Sequence, residues 1–466
     1  MFINGKAVTT DSKLYVYSPY TNEFIDAVGA SKEEDVNKAI ENAYEAFKTN
    51  KDQLSSYEKY NILSNVYNII NARFDEIARL ITHESGKIIR ESEVEVKRAL
   101  YVLQYAAEES KRIHGEILPC DITDQKIEKN AYVHRKPIGV VAAITPFNFP
   151  LNTVVHKVAP AIASGNSIVL KPSPTTPLTA ELLAEIFIEA GLPEDMFNIV
   201  QGDAETGQLL ISHNKVRMVT FTGSVATGTE ISHNAGMKKL TLELGGNDPL
   251  VVFSDADLQK AATMAIEQGL GTCGQRCTAV KRVFVEQSVY DQFLDILIPR
   301  INNLKVGDPF DREVDIGPMV DSEAAKSIES LVAETVSAGA NSIIYGQREN
   351  AIHNPVLLSD VPSNCNLIKE ETFGPVLPVN SFSNIDDLIC EINNTKYGLQ
   401  AGVFTENLST IQKMFTEVEV GTLIVNGGPG FRVDSLPFGG VKSSGLGREG
   451  VLAAVKEMTE EVALIM

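Results

Sequence analysis

Between residues 139 and 244 the chain alternates short apolar runs with amphipathic stretches, and this alternation narrows the fold more than any other feature. Apolar residues crowd 139–144, 167–171, 198–200, 218–221 and 240–244, which predicts short buried strands. The stretches between them, 152–164, 178–190, 205–212 and 226–235, have helical spacing. Parallel strands need a crossover, and a helix supplies it. Repeated strand–helix units therefore predict a parallel sheet wrapped by helices, a Rossmann-like half.

The remainder has to form more than this one unit, because 466 residues exceed a single simple core. The spacing predicts a helix over 31–50, with Ser31 as cap and Val36, Ile40, Ala43 and Phe47 on one face. Longer helices are expected over 55–82 and 91–114, and a polar, proline-broken hairpin arm over 116–133. A second α/β unit is expected from about 247 to 447, with helices at 290–304 and 322–338 and strands at 342–345, 375–379 and 421–426. The tail from 450 starts helical and ends on Val462-Ala463-Leu464-Ile465-Met466, an apolar end that suits burial by a partner subunit.

Charge and cysteine usage exclude several classes. The net charge of −20 argues against binding to nucleic acid or anionic membrane. No apolar run approaches the ~20 residues of a membrane helix, and Met1-Phe2-Ile3-Asn4-Gly5-Lys6 has no signal-peptide pattern, so a cytoplasmic location is expected. Five cysteines, at 120, 273, 277, 365 and 390, make no disulfide framework, and no second cysteine pair stands near Cys273 and Cys277 to hold a metal.

The chemistry gathers on three segments. Gly271-Thr272-Cys273-Gly274-Gln275-Arg276-Cys277-Thr278 puts Cys277 on a glycine-punctuated loop, between a helical run at 257–269 and a strand at 282–286. Glu243 ends an apolar strand at Gly245-Gly246, where a carboxylate faces the cleft of a parallel sheet. Asn148 sits in Thr145-Pro146-Phe147-Asn148-Phe149-Pro150, on a loop stiffened by its prolines. A thiol nucleophile, a base and a neutral amide donor are what the oxidation of an aldehyde through a thioester needs.

These motifs resemble those of the aldehyde dehydrogenase superfamily, over the whole chain. Gln-Arg-Cys-Thr-Ala-Val-Lys-Arg-Val, at 275–283, is similar to the non-phosphorylating glyceraldehyde-3-phosphate dehydrogenases, and Phe-Arg-x-Asp-x-x-Pro-Phe-Gly-Gly, at 431–440, to the lactaldehyde dehydrogenases. The resemblance implies an α/β fold with a Rossmann-like cofactor domain (1–115 and 136–246), a second α/β catalytic domain (247–449) and an oligomerisation arm (116–135 and 450–466). It implies Cys277 as nucleophile, Glu243 as base for the deacylating water, and Asn148 with the Cys277 N–H as oxyanion donors. A carboxylate at Glu243 points to water rather than coenzyme A as acyl acceptor, and so to a free acid.

The usual Gly-x-Gly-x-x-Gly is absent, and Phe-Thr-Gly-Ser at 221–224 stands in its place. The resemblance implies that Gly223 and Ser224 meet the pyrophosphate, Lys171 the adenine ribose and Glu371 the nicotinamide ribose. Thr145, Pro146 and Phe373 complete the cofactor set. Where many NAD-preferring relatives carry Glu, three residues after the lysine, this chain has Pro174, so the cofactor is NAD or NADP. Arg432, Arg276 and Arg98 are expected to face the aldehyde, which suits a carboxylate, sulfonate or phosphate. Arg276 is also expected to lower the Cys277 pKa. Lys157 matches a family lysine linked to proton relay. The expected substrate is lactaldehyde, glyceraldehyde 3-phosphate, sulfolactaldehyde or succinate semialdehyde, and the expected assembly a homodimer or homotetramer. A thiol esterase without a redox step and a non-catalytic nucleotide-binding protein are the alternatives.

Overall fold

The structure is a computed structural model that describes residues 1–50, 54–124 and 127–466. Its first sheet has at its centre the strands Phe197–Ile199, Ser167–Lys171, Val140–Ile144, Val216–Thr222 and Lys239–Glu243, in that spatial order and all parallel. Short antiparallel strands extend both edges, Phe2–Ile3 with Lys6–Ala7 on one side and Gly445–Leu446 on the other. The order reverses between Val140–Ile144 and Val216–Thr222, and at such a switch point the loops after the strands part to leave a crevice. Asn148 follows the first of these strands and Gly223 the second.

Helices cover both faces. Ser56–Ala72, Ile89–Ser110, Asn152–Ala163 and Leu178–Glu189 pack one face through Leu63, Val66, Leu103, Val158 and Phe187, all fully buried. Glu33–Asn50, Ala204–Ser212 and Val225–Asn234 cover the other through Val36, Ile40 and Leu210. The helix expected over 55–82 divides into Ser56–Ala72 and Phe74–Ser85. Arg73 leaves the helical region (φ −101°, ψ 22°) and its guanidinium turns onto Glu76 in the second helix. One non-helical residue does not disturb an apolar periodicity that continues through Ile70, Ile77 and Ile81, so the break leaves no trace in the pattern.

The second sheet runs Asn341–Ile344, Val356–Ser359, Val376–Phe382, Val280–Glu286, Asp248–Val252, Gln400–Phe404 and Thr422–Val425, parallel except at the first strand. Asp248–Val252, Val356–Ser359 and Gln400–Phe404 fall outside the expected strands. The hairpin arm forms as Glu116–Pro119 with Asn130–Pro137, and the tail strand Thr459–Ile465 adds antiparallel to it. The apolar side chains of Leu464, Ile465 and Met466 stay exposed. Among the described residues no helix is long and apolar enough to cross a membrane.

Candidate active site

A cavity of about 410 Å³ opens between the two sheets. Asn148, Glu243 and Cys277 all border it. Each is held by backbone that the rest of the fold dictates.

Asn148 lies on the loop leading into the helix Asn152–Ala163. Glu95, from the helix Ile89–Ser110, accepts the N–H groups of Leu151 (2.9 Å) and Asn152 (3.0 Å) and so holds that helix start. Glu95 is itself buried and paired with Lys87, whose ammonium sits 3.9 Å over the ring of Phe149. A buried ion pair thereby fixes the two residues either side of Pro150. The Asn148 Nδ2 donates to the Gln275 carbonyl at 2.8 Å, on the loop that carries Cys277, and its second N–H is left for another acceptor.

The helix Leu258–Leu270 ends before Gly271, and Thr272, Cys273 and Gly274 then take left-handed backbone (φ 53°, 54° and 69°). A Cβ at Gly274 would come to 2.0 Å from the Gly374 carbonyl, so only glycine fits that approach. Cys277 keeps partial exposure toward the cavity. Burial still pushes its thiol up to about 12, with the Glu371 and Asp248 charges adding to the rise and Arg432 opposing it. This corrects the expectation of a lowered thiol. Arg276 does not act on it, because its guanidinium is turned onto Glu91 at 2.6 Å.

Glu243 ends the strand Lys239–Glu243, and the Gly223 N–H donates to its carbonyl at 3.0 Å. Both carboxyl oxygens are buried without a partner. Burial, and then the charge of Glu449, raise its pKa well above the usual carboxylate range. Gly439 passes directly over it, and a Cβ there would stand 2.9 Å from Oε1.

The far end of the cavity holds Arg98, His156, Arg432 and Glu449. Asp434 joins them, accepting from Arg98 at 2.7 Å, contacting His156 Nε2 at 2.9 Å and Arg432 at 3.4 Å. Arg432 also stacks 3.9 Å over the Phe438 ring and lies 3.4 Å from Glu449. Lys157, fully buried, pairs with Glu449 at 2.5 Å. Burial alone would raise the Glu449 carboxyl, but Lys157, Arg432 and His156 outweigh it and hold it at about 2. Burial lowers the His156 imidazole below its ordinary value, so it is neutral at pH 7. Of the three expected arginines, Arg98 and Arg432 border this end and Arg276 does not. Sequence reasoning missed His156, Asp434 and Glu449. His156 carried a signal, eight residues beyond Asn148 on the helix that follows it. Asp434 stood inside the Phe-Arg-x-Asp motif at 431–440 without a role of its own, and nothing in the sequence sets Glu449 apart from the other acidic residues.

On the opposite side the cavity meets Pro146, Gly223, Ser224, Glu371 and Phe373. Ser224 caps the helix Val225–Asn234, accepting the Thr227 N–H at 3.2 Å, and the first N–H groups of that helix have no intrahelical partner. Gly228 lets the helix lie against Leu244, since a Cβ there would come to 2.4 Å. Glu371 Oε1 accepts the Gly246 N–H at 3.2 Å. Lys171 and Thr145 stand outside the lining, at the same carboxyl edge of the sheet, where the Thr145 N–H donates to the Lys171 carbonyl at 3.2 Å. The Lys171 ammonium donates to the Gly202 carbonyl at 2.8 Å, and burial pulls its pKa down to about 8. Thr145 Oγ1 is buried without a partner. A capped helix start at a switch point, a close-packing glycine and an unpartnered hydroxyl together fit a dinucleotide.

The same architecture recurs in solved structures. NADP-dependent glyceraldehyde-3-phosphate dehydrogenase from Bacillus halodurans, complexed with NADP, superposes with a TM-score of 0.97 at 35% identity, covering 100% of this chain and 98% of that one. Aldehyde dehydrogenase 21 from Physcomitrella patens, in complex with its product succinate, superposes with a TM-score of 0.97 at 39% identity, covering 100% and 97%. In sequence, the chain is 41% identical over 467 residues to 3-sulfolactaldehyde dehydrogenase of Priestia megaterium, covering 100% of this chain and 97% of that protein. The aldehyde dehydrogenase family pattern matches residues 7–463. The chain belongs to the aldehyde dehydrogenase family.

Proposed function

We propose that this protein oxidises a short aldehyde carrying one negative charge to its carboxylic acid, with NAD or NADP as oxidant. The observation that carries the reading is the meeting of Cys277, Glu243 and Asn148 on one cavity whose far end bears two arginines. In this reading residues 1–115 and 136–246 carry the dinucleotide, 247–449 the nucleophile, and 116–135 with 450–466 the contact of a homodimer or homotetramer.

Cys277 gives up its thiol proton to solvent as Sγ adds to the aldehyde carbon. The free N–H of Asn148 Nδ2 and the Cys277 N–H hold the oxygen as it becomes an oxyanion. When bound, the nicotinamide supplies the hydride acceptor that leaves a thioester on Cys277. Gly223, Ser224, Glu371 and Phe373 hold the dinucleotide at the cavity, and Lys171, Thr145 and Pro146 support it along the sheet edge. Glu243 takes a proton from water as the water attacks the thioester carbon. The C–S bond breaks, the sulfur regains a proton and the acid departs. A carboxyl whose pKa lies above the ordinary range is a stronger base for that proton than a solvated one.

Charge at the substrate end supports a monoanion. Arg98 and Arg432 are the two guanidinium groups on the cavity lining, and each is already shared with Asp434 or Glu449, which suits one sulfonate or carboxylate better than a dianion. With Arg276 engaged by Glu91, that end lacks a third arginine for a phosphate dianion. Sulfolactaldehyde and succinate semialdehyde match this charge better than glyceraldehyde 3-phosphate, and the relative named for 3-sulfolactaldehyde points the same way. Pro174 offers no carboxylate to repel a 2′-phosphate, which keeps NADP beside NAD.

The test is reduced-cofactor formation followed by absorbance, with NAD and NADP in parallel, on sulfolactaldehyde, succinate semialdehyde, lactaldehyde and glyceraldehyde 3-phosphate. Preferential turnover of a monoanionic aldehyde is expected. Equal turnover of all four would remove the charge argument, and ester hydrolysis without any aldehyde oxidation would remove the redox step.

A further inference from the structure

Glu91, in the first turn of the helix Ile89–Ser110, reaches across to the segment that carries Cys277. Its carboxylate accepts the Thr272 N–H on both oxygens at 3.0 Å and the Thr272 hydroxyl at 2.9 Å. Arg276 Nη2 donates to the same carboxylate at 2.6 Å, and Arg276 Nε donates to Thr272 Oγ1 at 2.9 Å, which closes a ring of hydrogen bonds. The ring crosses the backbone at Gly271, where a Cβ would meet Arg276 Nη2 at 2.9 Å and Glu91 Oε1 at 3.0 Å.

The backbone inside this ring is the strained part of the loop. Thr272 is β-branched and Cys273 is not glycine, yet both are left-handed (φ 53° and 54°). Such residues stay in that region only where their surroundings hold them. Three residues after Gly274 the chain delivers Cys277, and on the way the Gln275 carbonyl takes the Asn148 amide at 2.8 Å. A relaxed turn at 272–274 therefore moves the sulfur and loosens the amide together.

We propose that Glu91 is a positioning residue for the nucleophile: it clamps the left-handed turn that sets Cys277 beside Asn148, and it keeps Arg276 out of the substrate cavity. The inference rests on Cys277 being the nucleophile. Arg276 is then a strut of the loop, and only Arg98 and Arg432 are left to meet the anion.

The experiment compares wild type with Glu91→Gln and Glu91→Asp, each checked for folding by thermal melting. Cys277 alkylation by iodoacetamide is followed by peptide mass spectrometry at one pH. The kcat and KM are measured for succinate semialdehyde and for neutral propanal. In Glu91→Gln the amide puts an N–H against Arg276 and opens the ring. The expected result is a kcat lower by at least about tenfold, KM for both aldehydes within roughly threefold, and faster alkylation of the less enclosed thiol. Glu91→Asp, which keeps the charge, should fall between the two, and it carries the test if the Gln variant does not fold. An unchanged kcat, or a lost kcat with an unchanged alkylation rate, would overturn the clamp. So would a lower KM for succinate semialdehyde alone, which would make the released Arg276 a substrate ligand. Turnover surviving in Cys277→Ser would instead bring down the nucleophile reading, and the clamp with it.

Discussion

Two carboxyl groups that face one cavity titrate in opposite directions, and their surroundings explain the difference. Glu449 has Lys157 at 2.5 Å and stays ionised, whereas Glu243 has no hydrogen-bond partner and is raised by burial and by that same Glu449 charge. A base with a raised pKa is unprotonated only above it, so kcat should climb as pH rises through the Glu243 pKa. Glu243→Gln should abolish that limb, slow the steady state by about 100-fold or more, and leave a burst of reduced cofactor visible by stopped flow. Arg432 is stacked on Phe438 and shared between Asp434 and Glu449. Arg432→Ala should raise KM for succinate semialdehyde by roughly tenfold or more while that for propanal moves little. Equal rises for both would show that the guanidinium holds the pocket's shape rather than the anion.

Helix starts do most of the positioning at the element scale. The helix Asn152–Ala163 is held at its first turn by Glu95, and Glu95 is held by Lys87, both fully enclosed. Breaking a buried pair leaves the partner charge without compensation, which costs on the order of 3–5 kcal/mol. Glu95→Gln should therefore lower the melting temperature clearly in calorimetry. It should also reduce kcat more than coenzyme affinity, because the loop it releases carries Asn148, whereas Gly223, Ser224, Glu371 and Phe373 of the dinucleotide cradle stand on other elements. Val225–Asn234 works by a different device: its start is capped by Ser224 and its close approach to Leu244 depends on Gly228.

The whole molecule brings the switch point of one sheet against the amino edge of the other, where Gly245, Cys277 and Phe373 stand just before their strands, and the cavity is the space left between them. Beyond this body, the arm strands and the tail strand form a separate three-stranded sheet with Ile117, Leu118, Leu464, Ile465 and Met466 exposed. Apolar side chains exposed on both faces of this small sheet are consistent with the proposed subunit contact. Leu464→Asp should shift the protein toward a smaller species in analytical ultracentrifugation at micromolar concentration. An unchanged sedimentation coefficient would show that the arm does not make the subunit contact.

The parallel sheet of the first half was legible in the sequence, because strands buried on both faces must be nearly all apolar and their crossovers must be helical. The expected strand 167–171 and the helix starting at 178 coincide with Ser167–Lys171 and Leu178–Glu189. Cys277, Glu243 and Asn148 were singled out by motifs that resemble those of the family, and the structure brings all three to one cavity. The break at Arg73, the strands Asp248–Val252, Val356–Ser359 and Gln400–Phe404, and the partners at the far end of the cavity were not legible. The cavity partners depend on contacts between residues far apart in the chain, such as Lys157 with Glu449 or Arg98 with Asp434, which no local pattern encodes. Arg276 shows the difference most sharply. Its place next to Cys277 is a fact of sequence, but whether it faces the substrate or the loop was decided by Glu91, 185 residues away, whose carboxylate reached it first.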